Sequence, residues 1–145
     1  HMYAVRTPVL TPHPGEFSRL TGLTVAAIEA DRFRLARQFA IDHHVVLLLK
    51  GPRTLIADPE GRVRINSSGN VGLASGGSGD VLSGLIGGLI AQGLSPFDAA
   101  SLGAWLHGAA ADLLAEEIGC SGMFAGDLLK AIPVARHQLE GVRSC

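Results

Sequence analysis

The chain has 145 residues, of which 47% are apolar, and a formal charge of −1 from 12 basic and 13 acidic side chains. This length and composition predict one ordinary globular domain and exclude an intrinsically disordered chain. The balanced charge excludes a global basic field that would bind nucleic acid or an anionic membrane surface, so any phosphate recognition must be local.

The first residues carry no targeting signal. His1 and Met2 resemble the remnant of a cleaved expression tag, so we expect that the natural chain did not begin here and that residues from Tyr3 onward are a piece of a longer protein. No apolar run reaches the roughly 20 residues that a bilayer span requires. We therefore expect a cytoplasmic protein with no membrane partner and no nucleic-acid partner.

An extended segment and a short helix open the predicted fold. Val9-Leu10-Thr11 suits a strand that ends at Pro12, because proline cannot continue a β-ladder. Pro14 is tolerated in the first turn of a helix, and Glu16 is favourable near the positive end of the helix dipole. His13 therefore lies at the strand-to-helix junction, where its imidazole could hydrogen-bond a substrate.

A surface helix and a buried strand follow. Apolar residues recur at near-helical spacing from Thr24, a possible N-cap, to about His43, which predicts one amphipathic helix. Residues 45–49 are continuously apolar, as is typical of an inner strand buried on both faces of a parallel sheet. Lys50 lies at the carboxyl end of this strand, where open α/β sheets bind ligands and an ammonium could reach phosphate oxygens. The alternative is a solvated lysine at a strand end.

Turn residues then separate two short apolar segments. Residues 54–57 and 63–66 predict an antiparallel hairpin, and the small residues 67–75 predict a loop. Residues 81–91 are apolar nearly all round, which predicts a helix buried on every side.

Two helices complete the predicted order. Ser95 and Pro96 supply an N-cap and a first-turn proline for a long helix, in which His107 is expected to be a packed residue. A last helix is predicted over residues 125–140, where Pro133 should kink or divide it. The order of strand, helix, strand, hairpin and three helices indicates a layered α/β domain.

The run Gly76-Gly77-Ser78-Gly79-Asp80 carries the clearest chemical signal. Free amides at a helix start carry partial positive charge, and glycines allow an anion to approach them closely. The amides of Gly77, Ser78 and Gly79 are therefore predicted to form an anion hole. The run lacks the Gly-Lys-Ser/Thr ending of a P-loop and the Gly-x-Gly-x-x-Gly pattern of a Rossmann domain. The alternative is a glycine-rich turn that only leads into a tightly packed helix.

Asp80 is the acidic residue whose position suggests catalysis. A carboxylate beside a bound phosphate could take the proton from a substrate hydroxyl as that oxygen attacks. The alternative is an acid that only stabilises the helix dipole. No His, Asp, Glu and Cys set has the spacing of metal ligands, so no metal site built from protein ligands is predicted.

Four motifs occur together and in order: Thr11-Pro12-His13-Pro14-Gly15-Glu16, Leu49-Lys50-Gly51-Pro52-Arg53-Thr54, Gly76-Gly77-Ser78-Gly79-Asp80-Val81-Leu82-Ser83-Gly84, and Trp105-Leu106-His107-Gly108. Together they resemble the ADP- or ATP-dependent NAD(P)H-hydrate dehydratases of the ribokinase-like superfamily. The Gly-Gly-Ser-Gly-Asp motif alone is typical of that superfamily, and the Thr-Pro-His-Pro-Gly-Glu run selects the dehydratase branch. Because the family domain is longer, the resemblance implies an α/β, ribokinase-like layered fold truncated to its C-terminal half, over residues 3–140.

The resemblance also implies a repair reaction and its ligands. The ring hydroxyl of hydrated NADH or NADPH would be phosphorylated by ADP or ATP with Mg²⁺, and phosphate would then leave. His13 and Asp80 would contact the hydrated dinucleotide, and Asp80 would be the catalytic base. The adenine nucleotide would contact Lys50, Gly51, Pro52, Arg53, Thr54 and Gly79.

Two other functions remain compatible with these residues. A ribokinase-like kinase of a vitamin precursor would use the same anion hole, and a non-catalytic half-domain could retain nucleotide binding alone. The apolar strand at residues 45–49 needs cover on both faces and partners on both edges. We therefore expect either a homo-oligomer or a complementing N-terminal piece to cover the vacant surface; the alternative is a rearranged monomer, since a chain of this length can form a sufficient core.

Overall fold

The computed structural model describes residues 6–141, which form a four-stranded sheet and six α-helices. The strands are β1 (Val9–Leu10), β2 (Val46–Leu49), β3 (Thr54–Ala57) and β4 (Val63–Asn66). The helices are α1 (Pro14–Thr21), α2 (Val25–Ala30), α3 (Arg32–His43), α4 (Ser78–Ala91), α5 (Pro96–Ile118) and α6 (Ala125–Glu140), and a 3₁₀ turn spans Val71–Ala74. The α/β class is confirmed, whereas the expectations for His1, Met2 and Tyr3 fall outside the described residues.

The sheet is mixed and has the order β1-β2-β3-β4. β1 pairs parallel with β2, and β3 and β4 extend the sheet antiparallel. All four residues of β2 are buried, so the predicted inner strand is confirmed. Because side chains alternate along a strand, Val46 and Leu48 pack with α4 and α5, while Leu47 and Leu49 pack with α1, α2 and α3 on the other face.

The single helix predicted from Thr24 to His43 is wrong, because Asp31 divides it into α2 and α3. Thr24 is the N-cap as predicted, and its hydroxyl accepts from the Ala27 N–H. Asp31 has φ −149° and ψ 44°, values outside the helical region, and its carboxylate pairs with Arg34. Aspartate favours helix ends because its short side chain competes for nearby backbone groups.

α4 is the helix predicted after the glycine-rich run, but its burial on every side is wrong. Leu82, Ile86 and Leu89 face the core at helical spacing. Gly84 and Gly87 lie on the other side, are exposed, and have open space where a Cβ would stand. The sequence did not distinguish these two faces, because glycine counts as a non-polar residue in the pattern but offers little surface to bury.

Pro133 does not divide α6, which continues from Ala125 to Glu140. A proline inside a helix leaves the carbonyl four residues earlier without its N–H partner, here that of Leu129. Both Pro133 and Leu129 are exposed, so water can satisfy that carbonyl.

α5 is the longest helix and lies against α4, α6 and the sheet. Gly108 lets the chain after β4 approach this helix: a Cβ there would lie 2.6 Å from the carbonyl carbon of Ser68 and 2.8 Å from the Gly69 nitrogen. Neither α5 nor any other helix within residues 6–141 is long and apolar enough to cross a bilayer.

Candidate functional site

Three segments distant in sequence meet where the parallel strands β1 and β2 end. The Lys50 N–H, just after β2, donates to the Pro12 carbonyl, just after β1, at 3.0 Å. The Thr11 hydroxyl lies 3.4 Å from that of Ser83, in the second turn of α4. The strand ends and the beginning of α4 therefore form one edge of the molecule, which is where ligands bind in open α/β sheets.

Lys50 lies against the first turn of α4. A Cβ on Gly79 would stand 2.8 Å from Lys50 Nζ, so the absence of a side chain at Gly79 makes room for the ammonium. An ammonium beside the positive end of a helix dipole is unfavourable in isolation and becomes favourable when an anion binds both. The structure thus brings together two residues expected to contact the nucleotide.

The beginning of α4 supplies backbone donors. Its N-cap is Gly77, which has φ 84° and no side chain with which to satisfy the first-turn amides. The Ser78 N–H donates to the Ser75 carbonyl at 3.4 Å, and the Ser78 hydroxyl donates to the Leu73 carbonyl. Both polar groups of Ser78 therefore hold the preceding loop, so the Ser78 amide, which was predicted to belong to the anion hole, already donates within that loop. The N–H groups of Gly79 and Asp80 have no acceptor within residues 6–141 and remain for an anion.

Asp80 lies where the helix terminus borders an apolar groove. The side chain is exposed, in the first turn of α4. Together with Asp80, six residues of α4 and α6 line a cavity of about 460 Å³: Val81, Gly84, Leu85, Leu129, Ile132 and Pro133. A carboxylate between an anion site and an apolar wall is placed to accept a proton from a substrate that spans the two.

His13 lies at the predicted junction and caps α1. Its Nδ1 accepts from the Glu16 N–H, and its own N–H donates to Glu16 Oε1, both at 3.1 Å. The bond from the His13 N–H lowers the pKa of the Glu16 carboxyl, and the Lys50 ammonium lowers it further. Nδ1 is therefore an acceptor here, while His13 Nε2 lies 3.2 Å from Glu16 Oε1 on a side chain that is half exposed.

Arg32, a residue that sequence reasoning missed, donates hydrogen bonds to the turn from Lys50 to Thr54. Gly51, Pro52 and Arg53 are exposed on this turn, and the Thr54 hydroxyl donates to the Gly51 carbonyl at 3.4 Å. Arg32, at the start of α3, donates to three backbone carbonyls of the turn and of the strand end before it. In the sequence it resembles the other arginines of an amphipathic helix, so no local signal set it apart.

The loop that leads to the anion hole is fixed by Asp112 of α5. Its carboxylate accepts from the Gly69 N–H and from Asn70 Nδ2, each at 3.0 Å, and Asn70 Oδ1 accepts from the Gly72 N–H at 2.9 Å. Sequence reasoning missed these residues as well. An acidic side chain among the small apolar residues of a packed helix was the signal that could have identified Asp112.

His107 is buried in α5, as predicted, with only 6% of its surface exposed. Its Nε2 has no hydrogen-bond partner within residues 6–141. Burial lowers the pKa of the imidazole and the Lys50 ammonium lowers it further, whereas interaction with the Ser78 backbone acts in the opposite direction. The lowered pKa favours the neutral form of this imidazole.

Comparisons with known proteins show what this chain is similar to. A family model described as NAD(P)H-hydrate dehydratase matches residues 3–134. The chain is 55% identical over 132 residues to the bifunctional NAD(P)H-hydrate repair enzyme of Moorella thermoacetica, an alignment that covers 91% of this chain and 25% of that enzyme. It is 48% identical to the ADP-dependent (S)-NAD(P)H-hydrate dehydratase of Neisseria meningitidis, covering 90% of this chain and 45% of that enzyme.

Solved structures give the same result for the fold. The ADP/ATP-dependent NAD(P)H-hydrate dehydratase of Bacillus subtilis, co-crystallised with ATP and Mg²⁺, matches with a TM-score of 0.87 and 37% identity over 94% of this chain and 50% of its own. A ribokinase-like superfamily protein of Enterococcus faecalis matches with a TM-score of 0.71 and 31% identity over 87% of this chain and 42% of its own. The ribokinase-like fold is confirmed, and the chain spans a quarter to a half of the length of these relatives.

Proposed function

The chain belongs to the NAD(P)H-hydrate dehydratase family, and on that premise we propose that its site acts in the nucleotide-dependent dehydration of hydrated NADH or NADPH. The observation that carries the proposal is the position of Lys50 Nζ beside Gly79 at the beginning of α4, where it lies 2.8 Å from the place that a Cβ on Gly79 would occupy. The ammonium and the free amides form a local positive site on a chain with no net positive charge, which suits the phosphates of ADP or ATP. Gly51, Pro52, Arg53 and Thr54 would contact the rest of the nucleotide.

Asp80 would be the catalytic base in this proposal. The ring hydroxyl of the hydrated dinucleotide attacks the terminal phosphoryl group, and its proton passes to the Asp80 carboxylate. The new O–P bond replaces the bond to the leaving AMP or ADP. Phosphate then departs with the C–O bonding electrons, and a ring proton is lost to restore the double bond. His13, through Nε2, would orient the dinucleotide.

A magnesium ion fits the residues present. Mg²⁺ is usually bound by nucleotide phosphates and one or two carboxylates, and it keeps several waters. Asp80 is an exposed carboxylate beside the anion site, and no group of three or more potential protein ligands occurs within residues 6–141. When bound with the nucleotide, the ion would neutralise phosphate charge.

We further propose that another polypeptide covers the exposed side of α4. Gly84, Gly87 and Gly88 have open space around them, and the groove between α4 and α6 is lined mainly by apolar residues. The relatives are longer than this chain. A second copy of the chain or a complementing N-terminal piece would remove this exposed apolar surface. Light scattering distinguishes the two, because a second copy gives a dimer without any added protein and a complementing piece does not.

Turnover is the experiment that tests the main proposal. Purified hydrated NADH is incubated with the chain, Mg²⁺, and ADP or ATP, while NADH absorbance and free phosphate are measured. Formation of NADH together with release of phosphate supports dehydration. Phosphorylation of an added vitamin precursor to a stable product, without phosphate release, would instead indicate a kinase of that precursor, which the family match does not favour. The partial coverage of the relatives favours a second candidate, nucleotide binding without turnover, which calorimetry would detect. The cytoplasmic location stays a prediction.

A further inference from the structure

We propose that Arg32 is a positioning residue that holds the turn of residues 50–54 in its nucleotide-binding conformation; the nucleotide part of this inference rests on the proposed function. Arg32 is the first residue of α3 and lies 18 positions before Lys50. Its side chain is 15% exposed, and its Nη1 donates to Glu29 Oε1 at 3.0 Å, which fixes the direction of the guanidinium.

One nitrogen of the Arg32 guanidinium, Nη2, donates to three backbone carbonyl oxygens. Nη2 lies 3.2 Å from the Leu49 oxygen, 3.1 Å from the Lys50 oxygen and 3.3 Å from the Arg53 oxygen. The three carbonyl oxygens belong to residues at both ends of the turn, so the guanidinium links those two ends. Converging carbonyl oxygens repel one another unless a cation lies between them, and the delocalised charge of arginine supplies that cation.

The turn is also shaped to accept the guanidinium. A Cβ on Gly51 would stand 2.6 Å from Nη2, so any side chain at Gly51 would displace Arg32. In a trans peptide the N–H and C=O groups point in opposite directions. Because the Lys50 carbonyl points toward Arg32, the Gly51 N–H in the same peptide unit points away from it. Arg32 thereby orients the backbone of the turn that Lys50 begins.

Arg37 provides a matched control on the same helix. Its Nε donates to the Gly61 carbonyl at 2.9 Å, and a Cβ on Gly61 would stand 2.7 Å from its Nη2. Gly61 lies in the turn between β3 and β4, which has no part in the proposed site. Loss of Arg37 therefore removes one hydrogen bond to a turn carbonyl, against three for Arg32, without altering residues 50–54.

The experiment compares Arg32→Ala, Arg32→Lys and Arg37→Ala in the full chain. Hydrogen bonds from a charged donor are strong enough that Arg32→Ala should weaken binding of ADP with Mg²⁺ roughly 10- to 100-fold by calorimetry. Arg32→Lys keeps the charge but not the planar fork, so its loss should be smaller. Arg37→Ala should leave the affinity unchanged, although both alanine variants should lower the melting temperature.

A second measurement separates this inference from the proposed function. Without nucleotide, ¹⁵N relaxation should show increased mobility of residues 50–54 in Arg32→Ala, or in Arg32→Lys if the alanine variant does not fold, and none in Arg37→Ala. An unchanged turn in the Arg32 variants overturns the inference, as does a mobile turn with unchanged ADP affinity. If the wild-type chain binds no ADP, the proposed function fails, while increased mobility still supports the role of Arg32 in ordering the turn.

Discussion

Replacing Gly79 with alanine should weaken nucleotide binding without destabilising the fold. The added Cβ would lie 2.8 Å from Lys50 Nζ, whereas the next lysine atom, Cε, is 3.9 Å away. Only the end of a flexible side chain must move, so the backbone can stay in place. The ammonium would leave the beginning of α4, and the anion site would lose one of its two sources of positive charge.

The magnitude follows from the interaction that is lost. A hydrogen bond to a charged group contributes about 1.5 to 3 kcal/mol, which corresponds to a roughly 10- to 150-fold increase in Kd. Glycine is about 1 kcal/mol less favourable than alanine inside a helix, so the free energy of unfolding should not decrease on substitution of Gly79. Lys50→Ala should produce the same loss of affinity, because it removes the same ammonium.

Calorimetry with ADP and Mg²⁺, paired with thermal melts, checks both quantities. Gly126→Ala is the control: Gly126 is likewise the second residue of its helix, α6, with open space where a Cβ would stand, so affinity should be unchanged. Its melting temperature should rise by roughly 2–8 °C for each kcal/mol gained. Wild-type affinity in Gly79→Ala would refute the role of the Lys50 ammonium beside α4, and a loss of stability would refute the reasoning about side-chain flexibility.

Three further substitutions test other parts of the site. Asp80→Asn should reduce turnover about 100- to 10,000-fold while largely sparing ADP affinity, because the amide is not a base but keeps an oxygen that can face Mg²⁺, and no backbone donor is lost; near-normal turnover with hydrated NADH would exclude Asp80 as the base. Asp112→Ala should cost about 1–3 kcal/mol in urea unfolding, since the Gly69 N–H and the Asn70 amide lose their acceptor. Glu116 is exposed on the same helix, so Glu116→Ala should change the free energy of unfolding little. Equal losses in Asp112→Ala and Glu116→Ala would contradict the role of Asp112 in holding the loop. Burial lowers the pKa of His107 below 6.5, so the unfolded chain binds that proton more strongly. The free energy of unfolding should thus be fully retained above pH 6.5 and fall as the pH drops through the lowered pKa. His107→Gln should reduce this loss. The same pH dependence in His107→Gln and in the wild-type chain would contradict the role of His107.

The sequence alone determined most local features of this protein. The apolar run at residues 45–49 predicted an inner strand, observed as Val46–Leu49, and Thr24 and Ser95 were recognised as helix caps that the structure confirms. The glycine-rich run before α4 indicated amides without side-chain caps, and Gly77 is indeed the N-cap. These features depend on neighbouring residues, because strand periodicity, capping and glycine conformations are set within a few positions of the chain.

Only the tertiary structure decided which residues meet. Arg32, Arg34 and Arg37 look alike in the sequence, yet Arg32 alone reaches Leu49, 17 residues away, and the ends of the turn that follows. Asp112 holds Gly69 across 43 residues. The two faces of α4 were likewise indistinguishable by composition, since burial depends on what packs against each side rather than on how apolar the helix is. Such contacts follow from the packing of separate elements, which no local pattern encodes.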